Sequence, residues 1–194
     1  MKNTPYQHVD IGAAILEWGG ALCITALISS CERAKWNRLT AIQVKYSAAA
    51  RDVERELLPM AEALSLGVLA WGPLAGGALA NAAQPKRREK AKIPPAIQQV
   101  AEKLAAISER AGMSSVQLAL AWLREKPNVP VPIIGARTAE QMHQVLGASA
   151  MNLSKDIVEQ IDDIVDIKLG YPHDLISSSY LQRFAFGDPE KILK

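Results

Sequence analysis

The chain has 194 residues, of which 49% are apolar and 22% are charged. That length is enough for one domain with a substantial core and too short for two ordinary domains. Its 22 basic and 20 acidic residues leave a formal charge of +2, which argues against a nucleic-acid-binding protein and against disorder. Cys23 and Cys31 are too few for a disulfide scaffold. On one helix they would lie roughly 12 Å apart, beyond bridging distance, so we expect a reducing, cytoplasmic location.

The early part of the chain, residues 11–30, is almost wholly apolar and raises the question of a membrane segment. Glu17 interrupts this run, and burying its carboxylate near the middle of a span would cost about 2.5 kcal/mol or more. Residues 28–31 loosely resemble a lipoprotein cleavage site, which is an outlying alternative. We expect instead a strand at residues 9–16 and a buried helix at residues 20–35, with no membrane partner.

Residues 39–46 have the pattern of a strand, with Ile42 and Val44 on one face. Asp52 can cap a following helix, which Gly67 ends. Residues 68–71 then form a further short buried strand, and an irregular glycine-rich loop follows at residues 72–77. A long polar connection over residues 80–95 contains a basic cluster at residues 86–90. Such a cluster can bind nucleic acid, but with an acid inside it we expect a solvated loop.

Two helices are delimited clearly in the second half of the chain. Pro95 suits the first turn of a helix because its missing N–H is not needed there, and Gly112 ends that helix. Ser114 and Gln117 predict a capping box, and the helix that they begin is apolar nearly all round, which predicts deep burial.

The last helix and the tail are less regular. Ser154 can cap an amphipathic helix, on which Asp162 and Asp163 point in different directions and are expected to be solvated. From Gly170 the chain is predicted to be an irregular tail with a short helix near residues 178–186. Buried strands that alternate with helices indicate a parallel α/β sheet with right-handed crossovers.

Residues 131–141 contain a short strand followed by a sharp turn. Val131, Ile133 and Ile134 form a β-branched apolar run typical of a buried strand. Gly135 and Ala136 allow the backbone to turn without a large side chain in the way.

A helix N-terminus follows this turn. Thr138 can cap the helix, with Gln141 completing a capping box, and Arg137 lies where the helix begins. A strand end, a small-residue turn, a helix N-terminus and a guanidinium together make a phosphate site. The alternative is that Thr138 and Gln141 only cap the helix and that Arg137 is a solvated surface charge.

Five stretches, taken in order, resemble the C-terminal half of an aldo-keto reductase. They are Gln-Val-Lys-Tyr-Ser at 43–47, Asp-Val-Glu-Arg-Glu-Leu-Leu-Pro at 52–59, Gly-Val-Leu-Ala-Trp-Gly-Pro-Leu-Ala-Gly-Gly at 67–77, Ile-Ile-Gly-Ala-Arg-Thr-Ala-Glu-Gln at 133–141 and Gly-Tyr-Pro-His-Asp at 170–174. The resemblance extends from about residue 40 to residue 187 and is weak before that.

That family has a (β/α)8 TIM barrel, which needs about 250 residues, so the resemblance implies a partial barrel. It covers strands 6–8 with their helices in a parallel sheet, and residues 9–16 are a candidate for one earlier strand. The resemblance implies a single incomplete domain over residues 1–194. Within it, residues 1–39 match poorly, residues 40–169 form the barrel half and residues 170–194 form a C-terminal tail.

The resemblance also implies an NADP(H) site. Gln43 would hydrogen-bond the nicotinamide carboxamide, Trp71 would stack on the nicotinamide ring, and Arg137 would pair with the adenosine 2′-phosphate, favouring NADP over NAD. At Val145 the family usually has an asparagine that contacts adenine, a contact that valine cannot make. The complete set of cofactor-binding residues implied by the resemblance is Gln43, Trp71, Gly72, Pro73, Leu74, Gly76, Gly135, Ala136, Arg137 and Gln141.

The catalytic groups of the family have no counterpart among the motifs of this chain. The family uses a tyrosine proton donor tuned by a lysine, an aspartate that pairs with the lysine, and a histidine. Lys2, Tyr6, His8 and Asp10 supply these residue types, but they lie within nine consecutive residues, whereas a barrel site gathers its groups from separate strand ends. We therefore assign no catalytic residue, and the spacing of the histidines and cysteines predicts no metal site.

Two functional hypotheses remain open. The first is an NADPH-dependent aldehyde or ketone reductase fragment that retains the nucleotide-binding half and is inactive alone. The second is a catalytically silent α/β binding or assembly module, or the relic of a truncated gene. Dividing a barrel exposes two sheet edges and an apolar inner face, so both hypotheses predict a homo-oligomer or a complementing chain.

Overall fold

The computed structural model describes residues 20–80, 93–128 and 130–186. Within these residues three strands form one parallel sheet in the order β1-β2-β3: β1 (Ala41–Lys45), β2 (Gly67–Trp71) and β3 (Val131–Ile133). The helices of the described residues are α1 (Ala21–Ala34), α2 (Leu57–Ala63), α3 (Pro95–Ala111), α4 (Ser115–Arg124), α5 (Ala139–Gly147), α6 (Lys155–Asp162), α7 (His173–Ile176) and α8 (Ser179–Phe186). Short 3-10 helices occur at Asp52–Arg55, Ala75–Ala80 and Ala148–Ala150. The predicted parallel α/β architecture, a partial barrel, is confirmed.

Helices cover one face of the sheet. Ile42 and Val44 of β1 and Val68 and Ala70 of β2 are buried in the main core. They pack there with apolar residues of α1, α2, α3, α4 and α6, among them Ile24, Leu58, Leu104, Leu118 and Ile161. Side chains alternate between the two faces of a strand. The β-branched residues at even positions in β1 and β2 therefore all face the helices.

The other face of the sheet is less covered, and we call it the open face. Val131 and Ile133 there are 58% and 41% exposed. The prediction that β3 is a buried strand is therefore wrong. Among the described residues β3 pairs only with β2 and is therefore an edge strand. Its apolar residues lie on a face that no described helix covers. The open face consists of Gln43, Lys45, Leu69, Trp71, Val131 and Ile133.

The ends of α3 and α4 follow local sequence signals. Pro95 is the first residue of α3, and Gly112 ends it with a φ of 66°, a left-handed conformation that glycine adopts at little cost. Ser114 and Gln117 form the predicted capping box, in which each side chain accepts the other residue's backbone N–H at 3.2 Å. The side chains of α4 are nearly all buried, as predicted.

Other helix boundaries differ from the predictions. Asp52 is the first residue of a 3-10 helix and makes no cap to α2. Gly67 begins β2 rather than ending a helix, since α2 stops at Ala63. Ser154 occupies the N-cap position of α6, but its side chain makes no cap hydrogen bond.

The predicted N-terminal helix is present as α1, but only one of its faces is buried and Leu22 is 80% exposed, so the prediction of a buried helix is wrong in that respect. The strand predicted at residues 9–16 and the basic cluster at 86–90 lie outside the described residues. Cys23 and Cys31 are both free thiols on α1. None of the helices in the described ranges has the length and apolarity that crossing a bilayer requires.

Candidate functional site

The carboxyl ends of the three parallel strands lie at one edge of the sheet, and two predicted site residues lie on the open face near that edge. Gln43 is opposite Leu69 in the register, and Trp71 is opposite Lys45 and Ile133. Gln43 and Trp71 are therefore on the same face of neighbouring strands, offset by two residues along the strand direction. Both are half-buried, which leaves a polar amide and a flat aromatic ring accessible on the same surface.

The loop after β2 is a tight turn that depends on glycine. Gly72 and Gly76 have φ values of 65° and 69°, so any larger residue there would be strained. The loop is held by backbone bonds within it, such as the bond from the Ala75 N–H to the Gly72 carbonyl at 2.8 Å. Pro73 is buried, and the partly buried Leu74 packs against both apolar clusters. The loop is therefore anchored to the core next to Trp71.

The segment after β3 brings the remaining predicted residues to the start of α5. The Thr138 hydroxyl accepts the Gln141 backbone N–H at 3.2 Å and caps the helix as predicted. The Gln141 side chain accepts the backbone N–H of Arg137 at 3.0 Å, so the predicted reciprocal bond to Thr138 is wrong.

Arg137 itself is exposed, and no carboxylate in the described ranges forms an ion pair with its guanidinium. Since Gln141 already occupies the Arg137 N–H, the guanidinium is the group at this position that offers charge to an anion. A guanidinium can bind two oxygens of a phosphate through its own N–H groups, without the backbone N–H of Arg137.

A small apolar cluster joins the second and third strand ends. Val145 on α5 is 9% exposed and is buried with Val116, Leu120 and Ala148. Leu74 and Ile134 are partly buried against the same cluster. The loop after β2, the end of β3 and the helix α5 therefore share one packed support, and Val145 contributes to it rather than offering a polar group to a ligand.

The structure also contains a charged network that the sequence did not reveal. Arg51 is 8% exposed and binds both carboxylate oxygens of Glu54, at 2.7 and 2.9 Å. It also donates to the backbone carbonyl of Asp162 at 2.7 Å and lies 3.2 Å from the Asp162 carboxylate. The prediction that Asp162 is solvated is wrong: its carboxylate also accepts the Trp122 indole N–H at 3.0 Å and binds Lys126.

This network joins parts of the fold, and it shifts the pKa values of Tyr46 and Arg51. Burial, together with the 2.7 Å hydrogen bond that Tyr46 donates to Glu54, raises the pKa of the Tyr46 hydroxyl well above its usual range. Burial alone would lower the pKa of Arg51, but the hydrogen bonds and negative charges of Glu54 and Asp162 raise it. No buried side-chain nitrogen or oxygen among the described residues lacks a hydrogen-bond partner, so the network has no unsatisfied group to offer a ligand.

Within the described ranges no group of three or more histidine, cysteine or acidic residues could hold a metal ion. Lys2, Tyr6, His8 and Asp10 lie outside those ranges. The described candidate site consists of Gln43, Trp71 and Arg137 at or after strand ends.

A parallel βα sheet with its candidate binding groups at the carboxyl ends of the strands defines a segment of a β/α-barrel protein. The sequence profile of the Aldo/keto reductase family matches residues 21–166, and the chain belongs to that family.

The relatives that the chain matches agree with this assignment. The chain is 35% identical to the uncharacterized oxidoreductase YrpG of Bacillus subtilis over 141 residues, covering 70% of this chain and 43% of that protein. It is 27% identical to the norsolorinic acid reductase stcV of Emericella nidulans over 185 residues, covering 92% and 48%. It is 29% identical to the aryl-alcohol dehydrogenase GME11368 of Pestalotiopsis microspora over 136 residues, covering 68% and 35%. The chain thus spans less than half the length of these relatives.

Proposed function

We propose that this chain is the nucleotide-binding part of an NADP(H)-dependent oxidoreductase for aldehydes or ketones, and that it has no catalytic activity alone. The observation that carries the proposal is the convergence of three consecutive strand ends. They present the amide of Gln43, the ring face of Trp71 and, at the start of α5, the free guanidinium of Arg137. The names of the relatives, a reductase and a dehydrogenase among them, support the same chemistry.

The chemistry of the described residues supports binding of the cofactor at its nicotinamide and at its 2′-phosphate. NADPH supplies a hydride when bound. For the nicotinamide end, Trp71 offers a half-exposed aromatic face for stacking and Gln43 offers an amide that can both donate to and accept from a carboxamide. For the adenosine end, Arg137 offers a planar cationic fork that can bind two oxygens of the 2′-phosphate, while Gly72 and Gly76 would leave the turn open to the pyrophosphate.

The described residues of the open face include no tyrosine that could donate the proton needed to reduce a carbonyl. An unperturbed tyrosine titrates near 10, so a proton donor at neutral pH needs a tuned environment. Tyr46 is buried against Glu54 with its pKa raised rather than lowered, which is the wrong direction for a donor. We therefore infer that the proton donor comes from outside the described residues.

The proposal includes a partner, either a second copy of this chain or a complementing chain. Support comes from the open face, on which Val131 and Ile133 are largely exposed, and from the outer edges of β1 and β3, which have no strand partner within the described ranges. Unpaired strand edges are templates for association. Neither nucleic acid nor a membrane is part of the proposal, and the two free thiols support a reducing, cytoplasmic location.

Cofactor titration tests the proposal. Tryptophan fluorescence and the fluorescence of the reduced cofactor are measured as NADPH or NADH is added to the wild-type chain, to Arg137→Ala and to Arg33→Ala. Arg33 is an exposed arginine on α1 and serves as a charge-matched control. We expect Arg137→Ala to weaken NADPH binding about tenfold, the effect of one charge-assisted hydrogen-bonding partner, and to leave NADH binding within about twofold.

The alternative is a catalytically silent binding or assembly module. It is favoured by Val145, which packs into the core where a polar contact to adenine would be needed. No saturable binding at millimolar NADPH would refute the cofactor proposal and leave this alternative. Equal effects of Arg137→Ala and Arg33→Ala would refute the role of Arg137 alone.

A further inference from the structure

The open face carries one cation directly beside the proposed nicotinamide-stacking ring. Lys45 is the last residue of β1 and is paired in register with Trp71. Its ammonium nitrogen lies 5.8 Å from the centroid of the Trp71 ring, within the range of a cation–π contact. Lys45 is exposed, and no carboxylate of the described residues lies within ion-pair distance of it. The charge beside the ring is therefore not neutralised by a described neighbour.

The two redox forms of the cofactor differ in charge at the end that would meet this cation. The oxidised nicotinamide ring is a cation, whereas the reduced dihydronicotinamide is neutral. An oxidised nicotinamide stacked on Trp71 would compete with the Lys45 ammonium for the negative face of the tryptophan ring, and the two positive charges would repel each other. The phosphates and the adenosine are the same in both forms, so every other contribution of Lys45 cancels in the ratio of their affinities.

We propose that Lys45 makes the site discriminate against NADP+ and in favour of NADPH. The inference rests on the proposed function, because it assumes that Trp71 receives the nicotinamide ring. Two unit charges about 7 Å apart, at an effective dielectric constant of about 40 to 80, change an equilibrium by about threefold to eightfold. Lys45 thus raises the preference for the reduced form by that factor, so that at equal concentrations of the two forms the site holds more NADPH.

The test compares dissociation constants of NADPH and NADP+ for the full chain by fluorescence titration at low ionic strength. Lys45→Met removes the charge and keeps an unbranched side chain, and Lys45→Arg keeps the charge. Lys103→Met, at an exposed position on α3, is the matched control. Lys45→Met should lower the NADPH:NADP+ affinity ratio about threefold to eightfold. Lys45→Arg and Lys103→Met should keep the wild-type ratio.

Two further measurements separate this inference from the proposed function. Arg137→Ala should weaken both forms by the same factor and leave the ratio unchanged, because both carry the 2′-phosphate. At high salt the effect of Lys45→Met should shrink, since exposed charges are screened. Binding of both forms with an unchanged ratio in Lys45→Met would overturn the role of Lys45 and leave the proposed function intact. Failure of the wild-type chain to bind either form would overturn both.

Discussion

Replacing Asp162 by alanine should lower the free energy of unfolding by about 3 kcal/mol, because this carboxylate joins three parts of the fold. It accepts the Trp122 indole N–H at 3.0 Å, lies 3.2 Å from the Arg51 guanidinium and binds the Lys126 ammonium. Trp122 is fully buried, and the side chains of Arg51 and Lys126 are 8% and 10% exposed. The substitution leaves all three donors with fewer acceptors in a poorly hydrated place.

The magnitude follows from the partners that remain. An unsatisfied buried indole N–H costs about 1–3 kcal/mol, and removing one member of a buried ion pair costs about 3–5 kcal/mol. Arg51 keeps both bonds to Glu54, and the Asp162 side chain is 31% exposed, so water compensates part of the loss. These effects place the total near 3 kcal/mol. Asp162→Asn keeps an acceptor for Trp122 and should cost about half as much.

Urea unfolding monitored by tryptophan fluorescence measures the effect. With a slope of about 2 kcal/mol per molar urea, Asp162→Ala should lower the unfolding midpoint by about 1.5 M. Asp163→Ala is the matched control, since Asp163 is the adjacent acid and is exposed, and it should change stability by less than about 0.5 kcal/mol. Equal losses for the two alanine variants would show that the network contributes nothing specific and would refute this reasoning.

Two further predictions concern alkaline pH and assembly. The folded pKa of Tyr46 is raised, so its contribution to stability is complete below about pH 10, the unfolded value, and declines as the pH rises above it. In urea unfolding between pH 9 and 11, Tyr46→Phe should lose stability less steeply than the wild-type chain; parallel slopes would contradict this. Because Val131 and Ile133 are exposed on an edge strand, light scattering at micromolar concentration should detect a dimer or larger assembly, and a single monomer peak would contradict that expectation.

Sequence signals correctly predicted helix boundaries that depend on residues close together in the chain, as in α3 and α4. Proline at the start and glycine at the end delimit α3, and the Ser114–Gln117 pair begins α4, because caps involve residues only three or four apart. The alternation of Ile42 and Val44 similarly identified the packed face of β1.

Besides the local errors at the caps of Asp52, Ser154 and Gln141, two errors concern partners that are distant along the chain. Val131 and Ile133 have the composition of a buried strand, but burial depends on which strands and helices surround them, and an apolar run does not contain that information. Asp162 was predicted to be solvated because its partners Arg51 and Lys126 are 111 and 36 residues away. For the site, the residues alone left an anion-binding turn at Arg137 as one of two interpretations, whereas the roles of Gln43 and Trp71 came from the family resemblance.

The layer of helices behind the sheet has a consequence for how such barrels diversify. Ile28 of α1 precedes the strands that it covers, and Leu104 of α3 and Ile161 of α6 follow β1 and β2. Within the described residues, the packed side of the sheet is thus built by helices that lie close to the strands along the chain. A segment of that kind could be recombined, by evolution or by an engineer, with different flanking sequences, and each combination would present other side chains to the same strand ends.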